Sequence, residues 1–201
     1  MKNVLEFLEK TAPACGDKTA FSDGEENLSF AELAHLSRAG GSALIARGLK
    51  NEPVAVFMKK APKTIAAFFA VLYAGCYYVP LDASMPLYRL QMIFEQLSPR
   101  AVVCDDASRE LAERLSPEGS VISASELFAV DENAEALAAV RAKCIDTDPA
   151  YIVFTSGSTG VPKGVTGCHR ALIDYANALC PAIGADEESV FAMQVPLYVD
   201  A

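Results

Sequence analysis

The sequence predicts an α/β fold: a mostly parallel sheet flanked by helices. Two observations carry that prediction. Short apolar runs rich in Val, Ile, Phe and Tyr alternate along the chain with segments whose apolar residues recur every three to four positions. Such strand–helix alternation builds parallel strands joined by helical crossovers. In addition, 52% of the 201 residues are apolar, enough to bury the core that such a sheet needs on both faces.

The elements follow in order. Val4, Leu5 and Leu8 share one face of a short helix over residues 2–10. Residues 19–22 and 27–29 flank Asp23-Gly24-Glu25 and predict a hairpin. Ser29, with Glu32 three residues on, forms a capping box. The helix it opens places Phe30, Leu33, Ser37, Gly41 and Leu44 on one face, and Gly48 ends it. Residues 53–58 (PVAVFM) predict a strand. Residues 61–73 predict a helix with Pro62 in its first turn. A strand at 77–81 follows, then a helix marked by Leu87, Leu90, Phe94 and Leu97, then a strand at 101–104.

Residues 106–115 predict a short helix and 121–122 a short strand. Residues 124–148 are acidic and Ala-rich, a helix and a surface crossing. The central strand is 151–154 (YIVF), and residues 164–167 predict a strand paired back onto it. Leu172, Ile173, Ala176 and Leu179 face one way on a helix that Pro181 and Gly184 end. A last strand is predicted at 190–193.

Composition narrows the function classes. The formal charge of −9 argues against a nucleic-acid surface and against an anionic membrane. The N-terminus has no secretory apolar core, and the longest uncharged run is broken by Gly75 and Pro80, so no membrane span is expected. Six scattered cysteines with no C-x-x-C pair and only two histidines give no zinc pattern; the expected metal set is none. Cys76 and Cys104 lie in apolar runs and read as buried thiols in a reducing, cytoplasmic setting.

The chemistry concentrates between the strand 151–154 and Val165. Thr155, Ser156, Gly157, Ser158, Thr159, Gly160 and Lys163 combine backbone freedom, hydroxyl donors and one mobile cation. Backbone N–H groups and hydroxyls turned inward suit a polyphosphate, which Lys163 can reach. Two familiar phosphate loops fail. The P-loop needs Gly directly before Lys and Ser or Thr directly after, where this chain has Pro162 and Gly164. The dinucleotide fingerprint needs another glycine spacing and an uninterrupted helix start, and Pro162 breaks it.

Thr155 to Gly164 (TSGSTGVPKG) resembles, without a break, the signature phosphate loop of the adenylate-forming enzymes. Three further stretches are similar to that family. Residues 28–33 (LSFAEL) resemble its early helix start. Residues 74–82 (AGCYYVPLD) and 168–172 (CHRAL) look like its amino-acid-activating branch, although Cys168 stands where Ser is usual. Residues 196–201 (PLYVDA) are similar to the motif whose acid pairs with the substrate α-ammonium, which makes Asp200 the substrate-binding candidate. Tyr198 and Val199 depart from the usual Ser and Phe there. His169 reads as a packing or helix-start residue and His35 as exposed.

The resemblance implies the incomplete N-terminal portion of an adenylate-forming enzyme large domain. Residues 1–201 would be its N-terminal part, with the rest of that domain and the small C-terminal domain absent. The implied activity is ATP-dependent formation of an aminoacyl-adenylate, with Mg²⁺ neutralising the phosphates. The residue would then pass to the phosphopantetheine thiol of a carrier protein, as in nonribosomal peptide synthetase adenylation domains and D-alanine–carrier protein ligases. Lys163 is the candidate catalytic residue. An acyl-CoA or aryl-CoA ligase is the alternative within the family, and an inactive nucleotide-binding or interaction module the alternative outside it. On this reading the isolated chain is inactive in pyrophosphate exchange, and its uncovered sheet edge favours self-association.

Overall fold

A computed structural model describes residues 1–117, 120–156 and 160–199. Its elements are α1 (Leu5–Cys15), β1 (Thr19–Ser22), β2 (Asn27–Ser29), α2 (Phe30–Ala46), β3 (Pro53–Phe57), α3 (Pro62–Tyr73), β4 (Tyr77–Leu81), α4 (Leu87–Leu97), β5 (Ala101–Cys104), α5 (Arg109–Leu115), β6 (Ser120–Ser123), α6 (Ala124–Phe128), α7 (Ala134–Arg141), β7 (Pro149–Ser156), β8 (Pro162–Cys168) and α8 (His169–Ala182). β1 and β2 form an antiparallel hairpin. The other six strands form one sheet in the order β6-β5-β3-β4-β7-β8, parallel throughout except for the β7–β8 pair.

The strand order fixes which face each helix covers. From β3 the chain crosses to β4 on one side; from β4 it returns past β3 to β5 on the other. Right-handed crossovers then require α3 and α4 on opposite faces. They lie so: α3 joins α2 and α6 over Val54, Val56, Ala101 and Val103, whereas α4 and α5 cover Ala55, Phe57, Val102 and Cys104. β3 is buried on both faces, which is why it reads as an apolar run without alternation. The reversal of winding between β3 and β4, with the helices that follow them on opposite faces, leaves a crevice at the carboxyl ends of these parallel strands.

Local signals were kept. Ser29 and Glu32 make the reciprocal capping box at α2, and a second one, Ser123 with Glu126, opens α6. Pro62 begins α3. Cys76 and Cys104 are buried, and burial raises both thiols to a pKa of about 11. His35 is exposed. The crossing before the central strand contains two helices, α6 and α7, rather than one.

Three expectations are corrected. Residues 190–193 are not a strand; Val190 is 94% exposed and Phe191 67%. A strand needs a ladder partner, and this run lies beside none: its carbonyl at Met193 and that of Val195 are instead bound by the Lys60 ammonium. α5 begins at Arg109, not at residue 106, because Asp105 accepts the Ser108 N–H and hydroxyl at 2.9 and 2.7 Å and holds residues 105–108 as a turn. α8 continues through Pro181 to Ala182, with the left-handed Gly184 just beyond.

Candidate functional site

The strand into the loop is anchored from both ends. Ala150, Val153 and Phe154 of β7 are buried, and Phe154 packs in the layer under α4. β8 returns antiparallel, with Val153 opposite Val165, Phe154 opposite Gly164 and Thr155 opposite Lys163. This register brings Thr155 and Lys163 side by side where the sheet ends, and the Thr155 hydroxyl donates to the Lys163 carbonyl at 3.4 Å. Both residues are exposed, and Lys163 makes no ion pair among the described residues. An exposed ammonium with no ion pair among the described residues is open to an incoming anion.

Gly160 has φ +79° with open space where a Cβ would sit. The constraint is therefore backbone conformation, not crowding, and a side chain there would strain the turn. The Ser156 backbone completes β7. Gly157, Ser158, Thr159 and Asp200, four of the predicted site residues, lie outside the described residues.

The surroundings are built from the neighbouring strand ends. Leu197 and Tyr198 fold back over the carboxyl ends of β3 and β4, beside Lys60, Thr64 and Asp82. Leu197 joins the core layer on one face of the sheet and Tyr198 that on the other. The segment that precedes Asp200 thus closes on the crevice where the order of the strands reverses. At the end of β5, Asp105 accepts the Lys59 N–H at 2.8 Å. Burial alone would raise its carboxyl pKa, but the Ser108 and Lys59 hydrogen bonds outweigh that and hold it below the usual value.

Sequence reasoning missed one residue. Arg89, half-buried on α4, donates from Nη2 to the Phe154 carbonyl at 2.9 Å, one residue before the loop. The available signal was an arginine set between Leu87 and Leu90 in an amphipathic helix. His169 is where the packing reading put it: 3% exposed at the start of α8, its ring nitrogens 3.3 Å from Asn3 Nδ2 and 3.4 Å from the Val4 N–H. Among the described residues no group of three or more His, Cys, Asp or Glu could hold a metal ion, and no helix is long and apolar enough to cross a membrane.

The model of the AMP-binding enzyme family matches residues 8–201. Tyrocidine synthase 1 of Brevibacillus parabrevis is 27% identical over 201 residues, which are 100% of this chain and 18% of that protein. The D-alanine–D-alanyl carrier protein ligase of Listeria monocytogenes serovar 1/2a is 28% identical over 202 residues, covering 98% of this chain and 39% of the ligase. In three dimensions the chain superposes on the Klebsiella oxytoca NpsA N-terminal subdomain, solved with 3-hydroxybenzoyl-AMSN, at a TM-score of 0.81 and 22% identity, over 99% of this chain and 49% of that one. The chain spans less than half the length of each of these relatives.

Proposed function

The chain belongs to the AMP-binding enzyme family of adenylate-forming ligases, and from that premise we propose that it is the N-terminal part of the large domain of an enzyme that activates an amino acid as its aminoacyl-adenylate. The observation that carries this reading is the register of β7 on β8. It sets Thr155 and Lys163 together at the carboxyl end of the sheet, at either end of a nine-residue glycine and hydroxyl stretch.

In the proposed reaction a substrate carboxylate oxygen attacks the α-phosphorus of ATP. The new O–P bond forms as the bond to the bridging oxygen breaks, and pyrophosphate leaves with the electron pair. Negative charge grows on the leaving group, so donors aimed there act most strongly in the transition state. Thr155, Ser156, Gly157, Ser158, Thr159, Gly160 and Lys163 are assigned that task. Asp200 is assigned the substrate α-ammonium; a carboxylate there favours amino acids over plain acids. Mg²⁺ would be taken up chiefly through the substrate phosphates, whose charge it would neutralise. We assign it no protein ligand. Transfer to a carrier-protein phosphopantetheine thiol completes the proposal, in line with the named carrier-ligase relative. The exposed β8 edge supports self-association of the chain.

Two substitutions in the whole enzyme test the assignments. Lys163→Ala should slow amino-acid-dependent pyrophosphate exchange about tenfold or more, with the thermal midpoint unchanged. An unaltered exchange rate removes Lys163 from phosphate binding. Asp200→Asn should reduce exchange with the amino acid far more than with its des-amino analogue. Equal losses for both would end the α-ammonium assignment and favour an acyl-CoA or aryl-CoA ligase.

A further inference from the structure

We propose that Arg89 is a positioning residue for the phosphate loop, fixing from α4 the backbone turn that carries the loop's donors. The inference rests on the phosphate-binding reading of residues 155–163. It concerns a residue outside that stretch, on a different element.

The end of β7 lacks a neighbour on one side. Its register with β4 is set at Tyr78–Tyr151. On that register Leu81, the last residue of β4, falls opposite Phe154, and Thr155 and Ser156 run on beyond β4. The Phe154 carbonyl, the last before the loop, takes a side-chain donor from α4 in addition to its place opposite Gly164 in the β7–β8 ladder. Arg89 Nη2 supplies it at 2.9 Å. α4 is held for this by Leu90, Ile93 and Phe94, all buried in the layer that also contains Phe154. The guanidinium thus sits on a rigid element and acts on the residue adjoining Thr155.

The rest of the arginine's environment points the same way. It forms no salt bridge among the described residues. Its Nε is buried without a hydrogen-bond partner. An arginine kept for stability alone gains from a carboxylate partner, and an unpaired buried N–H works against folding. What this arrangement gains instead is geometry and sign: a charge-assisted bond orients the peptide before Thr155, and it brings a positive charge to the residue preceding the stretch assigned to polyphosphate. A loop ordered before its ligand arrives binds more tightly than one that must be ordered by it.

The test is a titration of the 201-residue chain with inorganic pyrophosphate, following backbone amide shifts of Thr155, Gly160 and Lys163. Hydrogen exchange of the same amides and of β3 and β5 is followed in parallel. Arg89→Met should weaken pyrophosphate about tenfold and speed exchange at the loop, while the β3 and β5 amides keep their protection. Arg89→Lys, which retains one donor and the charge, should recover part of the lost affinity. Two results would overturn the inference: Arg89→Met binding within twofold of wild type, or a loss of binding accompanied by equal loss of protection in β3 and β5. If the wild-type chain takes up no pyrophosphate, the phosphate-loop reading itself fails and Arg89 loses its role with it. Binding by wild type with no change in Arg89→Met removes the Arg89 role alone.

Discussion

Acidification from about pH 7.5 to about pH 4 should cost the protein roughly 3 kcal/mol of stability through His169 alone. Burial of the ring, with Arg141 nearby adding to the effect and Asp148 opposing it, lowers its pKa from 6.5 to about 4. Geometry gives the reason. Asn3 Nδ2 and the Val4 N–H approach the two ring nitrogens, so an imidazolium would present donors to donors. The unfolded chain takes up a proton near pH 6.5, and the folded one only near pH 4. Between those values the unfolded state binds more protons, so stability falls as pH falls. Carboxylates such as Glu6, Asp146 and Asp186, all held below their ordinary values, add losses only at lower pH. The window from about pH 6.5 to about pH 5 therefore isolates the histidine. Urea unfolding across that range should show a steep slope in wild type and a flat one in His169→Gln. Parallel profiles for the two proteins would refute the assignment. His169 also opens α8 directly after β8, so its protonation should free α1 first, leaving the loop hairpin less firmly held.

Gly41→Val should destabilise the fold by about 3 kcal/mol. α2 and α3 cross closely, and two adjacent glycines make room. A Cβ on Gly41 would lie 2.6 Å from Tyr73 Cβ and 3.3 Å from the Ala70 carbonyl oxygen; one on Gly40 would lie 2.7 Å from Ala70 Cβ. These neighbours are backbone or first side-chain atoms, so no rotamer change relieves the overlap and the helices must separate. Helix propensity acts in the opposite direction by less than about 1 kcal/mol, which is too little to compensate. The comparison is His35→Val on the exposed side of the same helix, expected to shift stability by no more than about 0.5 kcal/mol. Equal denaturation midpoints for the two variants would show that the crossing can relax. Separation of α2 from α3 would also disturb β3 and β4, whose carboxyl ends form the crevice beside Leu197 and Tyr198.

Much of this was legible in the amino-acid order. The buried runs of β3, β5 and β7, the Ser29–Glu32 cap and Pro62 at the start of α3 are local signals, and each is read within a few residues of where it acts. The stretch from Thr155 to Lys163 stands out by residue type alone, and the phosphate role proposed for it rests on that composition and on the β7–β8 register. The apolar run at 190–193 misled, because β-propensity reports a residue's fitness for a sheet and not the presence of a neighbouring strand.

Amino-acid order alone set the alternation of strands and helices and the boundaries that caps and prolines mark. Tertiary structure alone decided that β3 lies between β4 and β5, that Arg89 reaches the Phe154 carbonyl across 65 positions, and that Asn3 meets His169 across 166. Periodicity records which face of an element is buried, never what it is buried against. Hydrogen bonds between distant residues leave no spacing in the chain to read, because the packing of whole elements sets their geometry.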